Sequence, residues 1–200
     1  MNLPVYELLI NEDLNNEAEV SYVALVDEPA IKKDFLAFKE QSKNVLQQFA
    51  IVSEEQRIIS GALMIADELI YRNNEKFGEH YVKFSAETIK QIAIKFAKKK
   101  YQNNVNLMHN PDLKVDGVTM FESFLVDKKR GILAMAEFSD VADGSWFGSF
   151  YVENQEVWDA IKSGQYKGFS VEGLFDYTEP DIYENKLSEI KNLLNLKIKF

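Results

Sequence analysis

Short segments of β-branched and aromatic residues, each ending at turn-forming residues, recur along this chain. Such segments predict strands rather than helices, because branched and aromatic side chains pack well on a pleated surface. Their regular spacing favours an antiparallel sandwich or barrel. The predicted strands span residues 4–10, 20–26, 57–65, 105–108, 119–126, 132–138, 146–152 and 169–175.

Two segments carry a helical pattern instead. Ser85 is a suitable N-cap for a helix whose apolar residues, between positions 89 and 97, recur at helical spacing. A second helix is predicted from about residue 153 to 163, with Asn154 as its cap and Gly164 as its stop. The fold expected from these elements is mainly β with flanking helices, an α+β arrangement.

The domain prediction is one folded unit over residues 1–180, followed by a C-terminal helix or tail over residues 181–200. The polar stretch 39–44 is interpreted as a linker or as part of a short helix. Three lysines at 98–100 follow the first predicted helix. They are expected to be either a solvated helix end or a docking patch for an acidic partner.

Composition excludes several classes of function. The chain has 32 acidic and 23 basic residues and a net charge of -9, which argues against nucleic-acid binding. It has no cysteine, so a cysteine nucleophile and a thiolate zinc site are excluded. No signal peptide and no apolar run of about 20 residues is present, so we expect a non-secreted protein without a membrane span. No cofactor is expected.

The two histidines are the first candidates for chemistry. His80 is expected to be exposed and without a function. His109 ends the strand 105–108 and opens a turn, so the strand would hold it rigidly at the rim of a sheet. A structural histidine is the alternative interpretation. A metal site is another, with His109 joined by Asp112, Asp116 and Glu122, although the usual two-histidine spacings are missing.

Ser170 is the best candidate for a nucleophile. Gly168 and Gly173 flank it and allow close approach of neighbouring backbone. The pattern differs from the nucleophile elbow G-x-S-x-G, because glycine follows three residues after the serine and the next residues are strand-like. A strand serine beside a β-bulge is the alternative.

Several short segments, spread along the chain in a specific order, carry a family resemblance. They include NVNLMHN at 104–110, which contains His109, and GFSVEG at 168–173, which contains Ser170. The chain resembles the XkdF-like serine proteases of tailed bacteriophages, a branch of the prohead protease group, over roughly residues 20–177. The matching pieces are residues 23–31, 34–38, 59–65, 70–72, 81–89, 104–110, 115–124 and 168–173.

The resemblance implies a fold and a reaction. It implies a compact antiparallel β-barrel of the prohead protease and assemblin type, often dimeric, with residues 1–180 as the protease domain. It also implies Ser170 as the nucleophile and His109 as the general base. The expected function is a phage prohead serine endopeptidase that cleaves scaffold and major capsid proteins inside the assembling procapsid, in the host cytoplasm. The alternative is a capsid-assembly protein that keeps the fold without activity.

The third catalytic residue stays open at this level. Glu122 is the first choice, because it lies inside the matching piece 115–124. Glu19 is the second, because its strand resembles one that follows the serine in other prohead proteases, as if the chain were circularly permuted. Glu172 is the third, because on a regular strand it shares a face with Ser170.

One departure concerns the oxyanion. Assemblin-type enzymes use an arginine near the oxyanion hole, whereas the arginines of this chain all precede Ser170. Backbone N–H groups, including those near Gly168, would have to bind the oxyanion instead. The three arginines are Arg57, Arg72 and Arg130.

Overall fold

The computed structural model describes residues 3–27 and 49–179. This part of the chain is mainly β with two α-helices, as the sequence predicts. The predicted linker at 39–44 and the C-terminal helix or tail lie outside the described residues. The elements are β1 (Val5–Leu9), β2 (Glu19–Val26), β3 (Ala50–Ser53), β4 (Ile58–Met64), β5 (Ile70–Asn74), β6 (Gly78–Lys83), α1 (Ala86–Lys98), β7 (Val105–Leu107), β8 (Asn110–Lys114), β9 (Val118–Leu125), β10 (Trp146–Val152), α2 (Gln155–Lys162), β11 (Gly168–Leu174) and β12 (Asp176–Tyr177).

The strands form three four-stranded sheets. Their orders are β12-β1-β6-β5, β3-β4-β10-β9 and β11-β2-β7-β8. Among the described residues no sheet closes on itself, so the compact barrel expected from the family resemblance is not confirmed. The pairing is also not purely antiparallel, since β1 runs parallel to β6 and β2 runs parallel to β7.

One strand prediction is wrong. Residues 132–138 form no strand; they contain an isolated bridge at Ile132 and a 3-10 helix at Ala136–Phe138. Leu133 is 64% exposed, so it does not contribute to a core. Phe138 is buried edge-on against Phe147, and the partly buried Ala134 and Met135 pack against the same small cluster.

The two predicted helices are confirmed, with their caps. Ser85 Oγ accepts a hydrogen bond from the backbone N–H of Thr88 at the start of α1. Asn154 caps α2 in the same way, and Gly164 follows its end with φ +76°. Within the described residues, neither helix has the length and apolar character needed to cross a membrane.

The main core lies between the sheets and the inner face of α1. Large aromatic and aliphatic side chains fill it, and Trp146 meets Phe96 of α1 edge-on with ring centroids 5.4 Å apart. Burying this apolar surface is the main stabilising term of the fold. The strands that border the core also set the positions of the candidate residues described next.

Candidate active site

Ser170 lies on β11, an edge strand of its sheet. It is 5% exposed and lines a cleft of about 540 Å³. The pairing of β11 with β2 is regular from Gly168 to Glu172. Because side chains alternate between the faces of a strand, Ser170 and Glu172 point to the same face.

His109 lies in the tight turn between β7 and β8. Leu107 pairs with Asn110, so Met108 and His109 are the two central residues of a hairpin turn. Both have positive φ, +55° and +56°, which is the signature of a type I′ turn and usually calls for asparagine or glycine. A left-handed backbone costs about 1–3 kcal/mol per residue, and such strain is concentrated at functional sites. The turn brings His109 into the lining of the same cleft as Ser170.

Glu172 is the carboxylate that the structure places beside His109. Its Oε2 lies 3.5 Å from His109 Nδ1, at the length of an ion pair. The same Oε2 accepts a 2.8 Å hydrogen bond from Asn106 Nδ2. Both partner side chains remain reachable from solvent, His109 at 40% exposed and Glu172 at 32%. With Nδ1 facing Glu172, the other ring nitrogen, Nε2, is left for a second partner.

Gly173 allows β11 to stay paired with β2 beyond Glu172. The register with β2 shifts after Glu172, and a Cβ at Gly173 would lie 2.0 Å from the carbonyl oxygen of Glu19. Only glycine allows the two backbones to approach this closely. The close approach predicted for Gly173 from the sequence is therefore present.

The rest of the cleft is largely apolar, with two further ionisable groups. Burial raises the pKa of the Glu68 carboxyl above its usual value. Arg72, which lies on β5, also contributes to the lining. The apolar lining comes mainly from Leu8, Leu63, Ile65, Ile70, Phe84, Phe175 and Tyr177.

Glu122, the first sequence-based choice for a third catalytic residue, lies elsewhere. It is on β9, opposite Ser149 of β10 in a different sheet, and its side chain is exposed. It does not line the cleft that holds Ser170 and His109. Within residues 3–27 and 49–179, no group of three or more acidic or histidine side chains is arranged to hold a metal ion, so the alternative metal cluster around His109 is not assembled either.

Glu19, the second choice, is held in an ion-pair network with α1. It is 7% exposed, and its carboxylate contacts Lys99, Lys95 and the hydroxyl of Tyr101. Burial opposes ionisation of Glu19, but the hydrogen bonds from these three side chains outweigh it and lower its pKa. Of the three lysines at 98–100, Lys99 is therefore engaged within the fold.

The Glu19 network predicts acid sensitivity. A carboxyl whose pKa is lowered by folding contributes stability that is fully present above its unfolded pKa, about 4.5, and is lost as the pH falls through the lower folded value. Glu19→Gln would leave Lys95, 3% exposed, without its carboxylate. Lys95 keeps bonds to three backbone carbonyls, so we expect a loss near the low end for broken buried pairs, about 3 kcal/mol at pH 7.

Urea unfolding followed by the fluorescence of the buried tryptophans measures this change. Wild type should lose stability as the pH falls below about 4.5, and Glu19→Gln should lose less over the same interval. The exposed Glu12→Gln is the matched control and should behave as wild type. Equal pH dependence in wild type and Glu19→Gln would contradict the prediction.

The exposure predicted for His80 is wrong. It is fully buried on β6, where Nδ1 donates a 2.8 Å hydrogen bond to the carbonyl oxygen of Gly78. Its ring is enclosed by Tyr6, Phe77 and Tyr177. The sequence alternation around position 80 gives no sign of this cage, because two of its three aromatic residues, Tyr6 and Tyr177, come from distant segments.

Asn106 is the site residue that sequence reasoning missed. Its signal was present, since it is a polar residue inside the apolar strand at 105–108. A buried polar residue needs partners. Only the folded structure identifies that partner as Glu172.

Comparisons with known proteins give one match. Residues 45–179 match a family model described as "Putative phage serine protease XkdF", a range that includes His109, Ser170 and Glu172. No curated protein matches this chain. No solved structure matches it either. Since the family model spans more than half of the 200 residues, the chain belongs to the XkdF family that this description names.

Proposed function

We propose that this chain is a phage serine endopeptidase that cleaves scaffold and capsid-protein segments during prohead maturation. The observation that carries the proposal is the cleft that Ser170 and His109 share, with Glu172 Oε2 at 3.5 Å from His109 Nδ1. Nucleophile, base and orienting carboxylate are the three parts that acyl transfer by serine requires. Family membership supports the same reaction class.

The reaction follows from the roles of these groups. Ser170 Oγ attacks the peptide carbonyl carbon while His109 Nε2 takes the hydroxyl proton. The C–N bond then breaks, and the imidazolium passes that proton to the leaving amine. Water, deprotonated by His109, attacks the acyl-enzyme; the ester bond to Ser170 then breaks, His109 returns the proton to Ser170 Oγ, and the acid product leaves. We assign the oxyanion to backbone N–H donors near Gly168.

Glu172 has the third role in this proposal. A carboxylate at Nδ1 keeps the proton of the neutral imidazole on that nitrogen, which leaves a lone pair on Nε2. It also stabilises the imidazolium that forms during attack. The proposal therefore replaces Glu122 with Glu172 as the third member.

The expected substrates are the phage scaffold and major capsid proteins, and the expected site of action is the assembling procapsid in the host cytoplasm. A cleft with long apolar walls is suited to an extended peptide with bulky side chains. Dimerisation, implied by the family resemblance, is part of the same proposal.

A fluorophosphonate probe tests the proposal directly, because only an activated serine reacts with it. Wild type should be labelled, and tandem mass spectrometry should place the label on Ser170. His109→Ala should lose labelling while keeping the fold, since the ring is 40% exposed and carries little packing. A wild-type protein that stays unlabelled as purified and in assembled procapsids would favour the non-enzymatic assembly role.

A further inference from the structure

Asn106 occupies a position where an amide costs stability. It is fully buried on β7 between Val105 and Leu107, and its Oδ1 has no hydrogen-bond partner. A buried acceptor without a partner destabilises a fold, whereas an apolar side chain of the same size would not. The residue is therefore poorly explained as a stabilising element.

The other end of the amide is engaged at the active site. Nδ2 of Asn106 donates to Glu172 Oε2 at 2.8 Å, and this is the oxygen that faces His109 Nδ1. An NH₂ group can only donate, so the contact requires Glu172 to act as an acceptor. A carboxylate held as an acceptor is what an N–H at Nδ1 of His109 needs.

The sheet fixes this arrangement. Asn106 lies opposite Ala24 on β2, and Ala24 lies opposite Ser170 on β11. Residues in register across neighbouring strands share one face of a sheet, so Ser170 and Asn106 lie on the same face. Strand positions hold a side chain more rigidly than a loop, which suits a group that must orient another.

We propose that Asn106 is a positioning residue of this active site. It holds the Glu172 carboxylate against His109 Nδ1 and so keeps the proton of the neutral ring on Nδ1 and the lone pair on Nε2. The inference rests on the proposed serine-protease function and adds a fourth residue to it. The unpaired Oδ1 is tolerated because Nδ2 is needed.

Asn106→Leu tests the role, because it keeps the size of the side chain and removes the donor. We expect an unfolding temperature equal to or above that of wild type, together with labelling of Ser170 by fluorophosphonate that is about 10–100-fold slower. A merely structural role predicts a lower unfolding temperature. Asn104→Ala is the matched control, since Asn104 donates to the backbone carbonyl of Ser21 at 3.0 Å; it should lower stability and leave labelling unchanged.

A double-mutant cycle identifies the route of the effect. In a Glu172→Gln background, Asn106→Leu should cause no further loss of labelling, because the two residues act through one contact. Independent losses that multiply would overturn the proposal.

The tautomer of His109 gives a readout that needs no activity. The chain has two histidines, so the nitrogen signals of both rings can be assigned by NMR. Wild type should carry its neutral-ring proton on Nδ1, and Asn106→Leu should shift it toward Nε2. If Asn106→Leu shows this shift but fluorophosphonate does not react with the wild type, the positioning role is supported and the protease function is overturned. Wild-type labelling with no change in rate or tautomer for Asn106→Leu would overturn only the positioning role.

Discussion

Ser170→Ala should leave the scaffold protein intact under conditions in which the wild type cuts it. Without Oγ there is no acyl-enzyme, and removing the nucleophile of a coupled serine–histidine pair typically costs on the order of 10⁵-fold or more in rate. Alanine at this position removes one hydroxyl from a site that is 5% exposed, so the fold should be retained. The loss of cleavage would then be chemical rather than structural.

Mass spectrometry of scaffold protein co-expressed with each variant measures this effect. Fragments from the wild type alone would establish the reaction, and their new termini would give the cleavage specificity. Ser139→Ala is the matched control, because Ser139 is exposed and does not line the cleft; this variant should cut the scaffold normally. Fragments of the same kind and amount from Ser170→Ala would refute the assignment.

Glu172→Gln should slow cleavage by about 10⁴-fold, the scale seen when the orienting carboxylate of a triad becomes an amide. Glutamine keeps the size of the side chain, but its NH₂ can turn toward Nδ1 of His109 and favour the wrong tautomer. Glu172 is 32% exposed, so its replacement should leave the unfolding temperature nearly unchanged. Single-turnover labelling by fluorophosphonate gives the rate without interference from product release.

Glu122→Gln is the informative comparison. Glu122 is exposed on β9 and lies outside the cleft, so we expect less than about a twofold change in rate. The reverse pattern, with a large loss in Glu122→Gln and none in Glu172→Gln, would return the third role to the residue that the sequence favours. Large losses in both variants would also contradict the assignment of the third catalytic role to Glu172 alone.

Local chemistry in the sequence determined most elements of this fold. The β-rich segment at 20–26 and the capped helix after Ser85 are confirmed almost to the residue, because their signals act between near neighbours. The strands β5 and β8 are not predicted from the sequence, since their polar and charged residues hide the apolar alternation that indicates a strand. The strand prediction at 132–138 is wrong because the apolar residues Ala134, Met135 and Phe138 pack against a small core cluster without forming a ladder.

The sequence by itself also brought forward Ser170 and His109, through residue type, turn signals and family resemblance. It could not choose among three glutamates, because that choice depends on which strands become neighbours. Only the tertiary structure shows which of them lies beside His109. The parallel pairing of β2 with β7 brings His109 and Asn106 to Glu172, Lys95 of α1 engages Glu19, and a separate sheet carries Glu122 away. Contacts between distant segments are set by packing, and a single sequence carries no direct record of them.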